Sequence, residues 1–267
     1  MPNVQSVAVA QVRPVIGDLA ANTKAHLRVI EVAKSLGADV VFFPELSLVG
    51  YEPRLAATLA LQSPIRIPCR PDQAEAASVW SHLIELEEAC LAANLTAYVG
   101  LPVLEHTKPT IAALPLGEVH ASNANVDRIA YGKHYLHQDE IAYFDAGCSP
   151  RSLEICGTRI GLAICYELSV EDHCQSVLTD TPCCYVACVA KHETAMRVAA
   201  ARLSGIAESN KIPTLVANSL GLQDGMNCSG QSAAWSSSGE RIAVLDNRRD
   251  GVISLNLATL EVSADYV

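Results

Sequence analysis

Short apolar runs alternate with helical spacing along most of the chain. Ser6 to Val12 reads as a first strand, and Asn22 is expected to cap a helix that ends before Gly37, with Ala25, Val29, Val32 and Leu36 on one face. Asp39 to Phe43 is almost wholly apolar, which predicts a strand buried on both faces, and it breaks at Pro44-Glu45-Leu46. Tyr51 to Pro71 is rich in Pro and Arg, has no clear period, and is expected as a surface excursion. Helical spacing returns over Gln73 to Asn94, where Val79, Leu83, Leu86 and Cys90 align. Leu95 to Leu104 and Thr110 to Leu116 predict two more strands, and Gly117 to Asn125 a polar turn or loop.

The second half repeats the alternation. Arg159 to Ile164 predicts a buried strand, and the following segment has a helix start at Ser169, so Cys165 falls at a strand's carboxyl end. Pro182 to Ala190 and Pro213 to Asn218 are further apolar strands, separated by a helix over Glu193 to Asn210. Gly230 to Ser236, Arg241 to Asp246 and Val252 to Leu257 complete a run of short strands. About four helices for so many strands imply an α/β fold in which sheets also pack on each other.

Composition narrows the function. The 267 residues, half of them hydrophobic and 18% charged, with 15 Gly and 13 Pro, suit one compact domain over residues 1–267. A formal charge of −10 argues against nucleic acid or an anionic membrane surface as partner, and leaves a small neutral or polar substrate open. Met1 to Val12 lacks a basic region followed by an apolar core, and no run approaches the roughly 18 apolar residues of a membrane span, so a cytoplasmic protein is expected. The ten cysteines are then expected as free thiols.

Strand ends are where an α/β protein carries its chemistry. A thiol at the end of the Arg159–Ile164 strand is aimed into a crevice beside the next backbone N–H groups; the same position also suits a buried Cys acting as a small hydrophobe. Glu45 is a second strand-end residue, equally compatible with a solvated loop or a helix cap. Lys133 lies among His134 and His137, which suit a loop pair better than a metal site. Zinc held by Cys184, Cys188 and His192 fails on distance: strand positions four apart are separated by roughly 13 Å, whereas zinc-bound thiolates lie within about 4 Å of each other.

Taken together, Glu45, Lys133 and Cys165 resemble the Glu-Lys-Cys set of the nitrilase superfamily, the carbon-nitrogen hydrolases. Phe42-Phe43-Pro44-Glu45-Leu46 is similar to that family's glutamate segment, and Gly132-Lys133-His134-Tyr135-Leu136 to its lysine segment. Gly161-Leu162-Ala163-Ile164-Cys165-Tyr166-Glu167 is similar to its nucleophile segment. The likeness extends to Gln11, Gly17-Asp18 and Asn22 near the start, and to Ala217-Asn218 and Gly230-Gln231-Ser232 near the end. Two departures stand out: Glu167 where relatives often carry Asp, and Ser169-Val170-Glu171 in place of a Phe-Pro-Glu type continuation.

The resemblance implies a four-layer α-β-β-α sandwich that associates into homodimers or larger assemblies, and hydrolysis of small amides through a Cys165 thioester. An ordinary thiol is only a few per cent ionised at neutral pH and needs help. Glu45 takes its proton, while Lys133 lowers the thiol pKa and faces the developing oxyanion, with the Tyr166 backbone N–H as a second donor. Glu140 matches by position a further glutamate that orients Lys133 or the substrate amide, and also suits an ordinary loop carboxylate. Tyr51, Lys191 and His192 are candidates to line the pocket. The set requires no metal and no organic cofactor. N-carbamoyl hydrolysis or nitrile hydrolysis by the same triad, a Cys-His hydrolase using His134, His137 or His173, and a binding or regulatory protein without turnover are the competing expectations.

Overall fold

The computed structural model describes residues 4–65, 78–104, 107–117, 130–148 and 152–267. In chain order the elements are β1 (Ser6–Gln11), α1 (Leu19–Ser35), β2 (Val40–Phe42), α2 (Pro53–Gln62), α3 (Ser78–Ala93), β3 (Thr96–Leu104), β4 (Pro109–Leu116) and β5 (Tyr131–Gly132). There follow β6 (Ser152–Ile155), β7 (Thr158–Ile164), a 3₁₀ turn (Cys165–Ser169), α4 (Glu171–Thr179), β8 (Cys184–Val189), α5 (Glu193–Asn210) and β9 (Thr214–Asn218). The chain closes with β10 (Leu220–Gln223), β11 (Met226–Ser229), β12 (Ala233–Trp235), β13 (Arg241–Val244), β14 (Gly251–Asn256) and β15 (Val262–Tyr266).

Two large sheets result, one in the order β15-β14-β1-β2-β3-β4-β5 and one in the order β13-β12-β9-β8-β7-β6, beside a two-stranded β10-β11 sheet. Each large sheet has a parallel centre, β1-β2-β3 in the first and β7-β8-β9 in the second, flanked by antiparallel strands. Side chains alternate across each strand, and both faces are apolar because both are covered. Val7, Val9, Val40 and Phe42 meet Ile160, Leu162, Ile164, Cys184 and Val186 in the core between the sheets. On the outer face of the first sheet, Ala8, Ala10, Val41 and Phe43 pack against Val29 and Ile30 of α1 and Leu83 and Leu86 of α3. On the outer face of the second, Ala163, Tyr185 and Ala187 pack against Cys174 and Val177 of α4 and Met196, Ala199 and Leu203 of α5. The layers therefore run α-β-β-α.

Several local expectations shift. The first helix starts at Leu19, capped by Asp18, whose carboxylate accepts from Ala21 N at 2.9 Å. Asn22 lies inside it, with its amide turned to Val15 N (2.7 Å), Val15 O (2.8 Å) and Leu48 O (2.9 Å). It ties the entry loop to the segment after Glu45 rather than capping a helix. The stretch expected as a surface excursion holds α2, with Glu52 as N-cap and Pro53 at its first position. Ala56 and Ala57 of α2 reach the core between the sheets. The helix after Cys165 starts at Glu171, because Cys165 to Ser169 first winds a 3₁₀ turn. The loop expected over Gly117 to Asn125 lies outside the described residues beyond Gly117.

Candidate active site

The parallel strands deliver their carboxyl ends to one crevice. Glu45 follows β2, Cys165 follows β7, Lys191 and His192 follow β8, and Lys133 follows the short β5. Two backbone features hold the ends in place. Cys165 has a φ of 49° and Leu46 one of 50°, a left-handed conformation that costs a non-glycine residue energy and persists where the surroundings enforce it. Gly100 lies so close to the glutamate turn that a Cβ there would meet Pro44 O at 2.2 Å and Leu46 N at 2.7 Å. Only glycine lets β3 carry the glutamate turn at that distance.

Lys133 is the hub. Its Nζ donates to Glu45 Oε1 at 2.6 Å and to Glu140 Oε1 and Oε2 at 2.7 and 2.8 Å, and all three side chains are wholly buried. Glu140 also accepts from Tyr51 Oη at 2.9 Å and from His137 N at 2.8 Å. The site thus joins Glu140 to the lysine and leaves it no role as a solvated loop carboxylate. The second oxygen of Glu45, Oε2, has no hydrogen-bond partner among the described residues, and the Cys165 thiol acts directly on the titration of this carboxyl.

Burial pushes the Glu45 carboxyl up to about 7, against the pull of Lys133 and with the help of Glu140. Burial alone would lower the Lys133 ammonium, but Glu45 and Glu140 outweigh it and hold the amine charged. Burial also pushes the Cys165 thiol up to about 11, Glu45 adds to this, and Lys191, Lys133 and the Ala190 backbone pull the other way. Lys133 does pull the thiol down, as expected, but desolvation and the Glu45 carboxylate outweigh it. The thiol rests protonated beside a carboxylate poised near neutrality, an arrangement suited to moving the proton during attack rather than before it.

Tyr51, Tyr166, Lys191 and His192 line a cavity of about 280 Å³ together with Cys165, His137, Asp139 and Met226. Lys191 is half-buried, and its charge acts on the thiol. His192 is the residue preceding α5 and is exposed. Asp224 at the rim was invisible to the strand pattern, although Asp224-Gly225 between two short runs is a hairpin signal. Both residues have positive φ, 46° and 70°, and close the β10-β11 hairpin over the crevice. Gln223 anchors that hairpin, accepting from Tyr51 N at 2.8 Å and donating to Pro14 O at 2.9 Å.

The carbon-nitrogen hydrolase family profile matches residues 6–264, almost the whole chain. The chain belongs to the carbon-nitrogen hydrolase family. An amidase of the nitrilase superfamily from Nesterenkonia AN1, carrying a cysteine-to-alanine change, shares this chain's fold with a TM-score of 0.75 at 19% identity, covering 97% of this chain and 92% of the other. A double mutant of that amidase in complex with acrylamide matches equally well, with a TM-score of 0.75 at 18% identity over 97% and 93% of the two chains. Among curated proteins, the glutamine-dependent NAD(+) synthetase of Aquifex aeolicus is 27% identical over 172 residues, 62% of this chain. The carbon-nitrogen hydrolase chain matches only 26% of that synthetase's length.

Among the described residues no group of three or more His, Cys, Asp or Glu side chains is placed to hold a metal ion, and no helix is long and apolar enough to cross a membrane. All nine described cysteines are free, and two of them, Cys148 and Cys183, are exposed. The charged groups that weigh most on Cys165 are Glu45, Lys191 and Lys133 rather than a histidine.

Proposed function

We propose that this carbon-nitrogen hydrolase cleaves small amides through a Cys165 thioester, releasing ammonia or an amine and a carboxylic acid. The observation that carries the proposal is the Lys133 ammonium bonded to both Glu45 and Glu140 beside Cys165. Glu45 takes the thiol proton as sulfur attacks the carbonyl carbon, and the carbonyl oxygen gathers the negative charge. Lys133 and the Tyr166 backbone N–H stabilise that oxygen. As the tetrahedral carbon collapses, Glu45 returns the proton to the leaving nitrogen, the C–N bond breaks, and the thioester remains. Water then gives a proton to Glu45 and its oxygen to the acyl carbon, and the thiol is regenerated. Glu140 holds Lys133 charged and in place throughout.

A cavity of about 280 Å³ suits a short acyl group, and the fold likeness to an amidase seen with acrylamide favours amides over N-carbamoyl compounds and nitriles, which the same triad would also serve. Residues 1–267 are taken as one domain, working without metal or organic cofactor as a cytoplasmic homodimer or larger homo-oligomer, with no nucleic-acid or membrane partner.

The test is intact-mass detection of an acyl adduct after mixing with acrylamide, butyramide and glutamine, in the parent and in Cys165→Ala. An adduct confined to the parent supports the proposal. A dispensable Lys133 combined with an essential His134, His137 or His173 would replace it with Cys-His chemistry, and an enzyme that forms no adduct and turns over none of the panel would favour a binding protein.

A further inference from the structure

Behind the nucleophile lies a third buried carboxylate, one that the mechanism above does not use. Glu167 is wholly buried in the 3₁₀ turn that follows Cys165. Its Oε2 accepts from Ile164 N at 2.6 Å and from Tyr131 Oη at 3.0 Å, and its Oε1 accepts from His134 N at 2.5 Å. Ile164 is the residue before the nucleophile, and His134 is the residue after Lys133. One side chain therefore ties together the two backbones that carry the sulfur and the ammonium.

The clasp reaches further. Tyr131 Oη lies 2.7 Å from His173 Nε2. Because the phenol proton goes to Glu167, the ring nitrogen is the donor in that contact, which sets the tautomer of His173. Tyr131 lies on β5 in the first sheet and His173 on α4 outside the second. The network thus crosses from one half of the sandwich to the other at the catalytic end.

We propose that Glu167 is a positioning residue, a carboxylate clasp that keeps Cys165 and Lys133 in register. Chemistry selects the residue type. Three donors converge on it, and a carboxylate offers lone pairs to all of them. A glutamine would turn its amide NH₂ toward one of those donors and leave a buried N–H unpaired. An aspartate, shorter by about 1.5 Å, keeps the charge but cannot span both loops from the same backbone. The departure from the Asp often found here in relatives is then matched to the loop spacing of this chain.

The inference rests on the amidase proposal for its substrate assay but not for its second readout. Glu167→Gln is expected to lower kcat roughly 10- to 100-fold through misplacement of the nucleophile, while KM stays within about threefold. Glu167→Asp is expected to recover part of that loss. Rates are taken per folded protein, with near-UV circular dichroism reporting the folded fraction. In parallel, alkylation of Cys165 by iodoacetamide, followed by peptide mass mapping, is expected to slow in Glu167→Gln and recover partly in Glu167→Asp. Parent-like kcat and Cys165 alkylation in Glu167→Gln would overturn the inference, as would a loss that disappears after correction for unfolded protein. If the parent turns over no amide in the panel, the amidase proposal fails, and the alkylation rates alone still decide the role of Glu167.

Discussion

Asn218 grips Lys191 by both polar groups of its main chain: its Oδ1 accepts from Lys191 N at 2.8 Å, and its Nδ2 donates to Lys191 O at 3.0 Å. The same amide donates to Gly230 O at 2.7 Å, and Asn218 N donates to Ser232 Oγ at 2.9 Å. Ser232 N donates to Gln11 Oε1 at 2.9 Å, so a buried polar relay runs from β1 to the loop that lines the cavity. It gives Gln11, Asn218 and Ser232 a shared physical task.

Asn218→Ala should loosen that loop. Truncation takes the Asn218 amide away from the part-buried Lys191 N–H and the buried Gly230 C=O, a cost of about 1–3 kcal/mol, while Lys191 O keeps Ser229 N at 3.0 Å. The expected outcome is a lower melting temperature together with a KM that rises several-fold, because Ala190, Lys191 and His192 line the cavity. Thermal unfolding and steady-state kinetics with a short amide check both.

Lys133→Ala should cost stability as well as activity. It strands Glu45 and Glu140 as two buried carboxylates, and breaking a buried pair in this way typically costs about 3–5 kcal/mol. The more informative comparison adds Glu140→Gln to Lys133→Ala. The double variant is expected to regain part of the lost melting temperature while remaining inactive, which separates the lysine's chemical role from its charge balance.

Activity and stability should move in opposite directions with pH. The Glu45 carboxyl is held up at about 7 in the fold against an ordinary 4.5. As a base it must be ionised, so kcat/KM is expected to rise with pH through about 7. For stability the sign reverses: between those two values the folded state binds the proton that the unfolded state has lost, so this contribution is present at low pH and is lost as pH rises through about 7. Glu167, pushed by burial up to about 7, acts in the same sense. Melting temperature against pH should fall more steeply over this window in the parent than in Glu45→Gln.

Thiol labelling should follow local electrostatics rather than the catalytic role. The exposed Cys183 is held down at about 7 by its hydrogen bond with the neighbouring Cys184, whereas Cys165 is held up at about 11. Iodoacetamide at neutral pH is therefore expected to mark Cys183 at least as fast as Cys165, contrary to the simple view that the nucleophile reacts first. Cys165 labelling should accelerate toward alkaline pH and also in Glu45→Gln, because the Glu45 carboxylate holds the thiol up, with Cys183 unchanged. Peptide mass mapping against time distinguishes the two sites.

The linear pattern was enough for most of the sandwich, because strands covered on both faces must read as continuous apolar runs. Val40 to Phe42 and Cys184 to Val189 do so. It placed Glu45 and Cys165 at strand ends, but only the family resemblance joined them with Lys133 as a set. α2 was missed because its Pro-bearing start resembles a loop and its buried face consists of alanines, a weak signal on a hydropathy scale. The Asn22 cap was misplaced because Asp18, which accepts from the helix N–H of Ala21, lies one turn earlier.

By itself, then, the sequence determined where most strands and helices fall and the residue types at the strand ends, since burial and backbone conformation are written into local composition, while the layer order followed from the family resemblance. Tertiary structure alone decided what those residues do to one another. That the Cys165 thiol rests protonated, that Glu140 grips Lys133, and that Glu167 joins Ile164 to His134 depend on distances between segments far apart in the chain. Desolvation and charge coupling act through space, and no order of residues along a line records them.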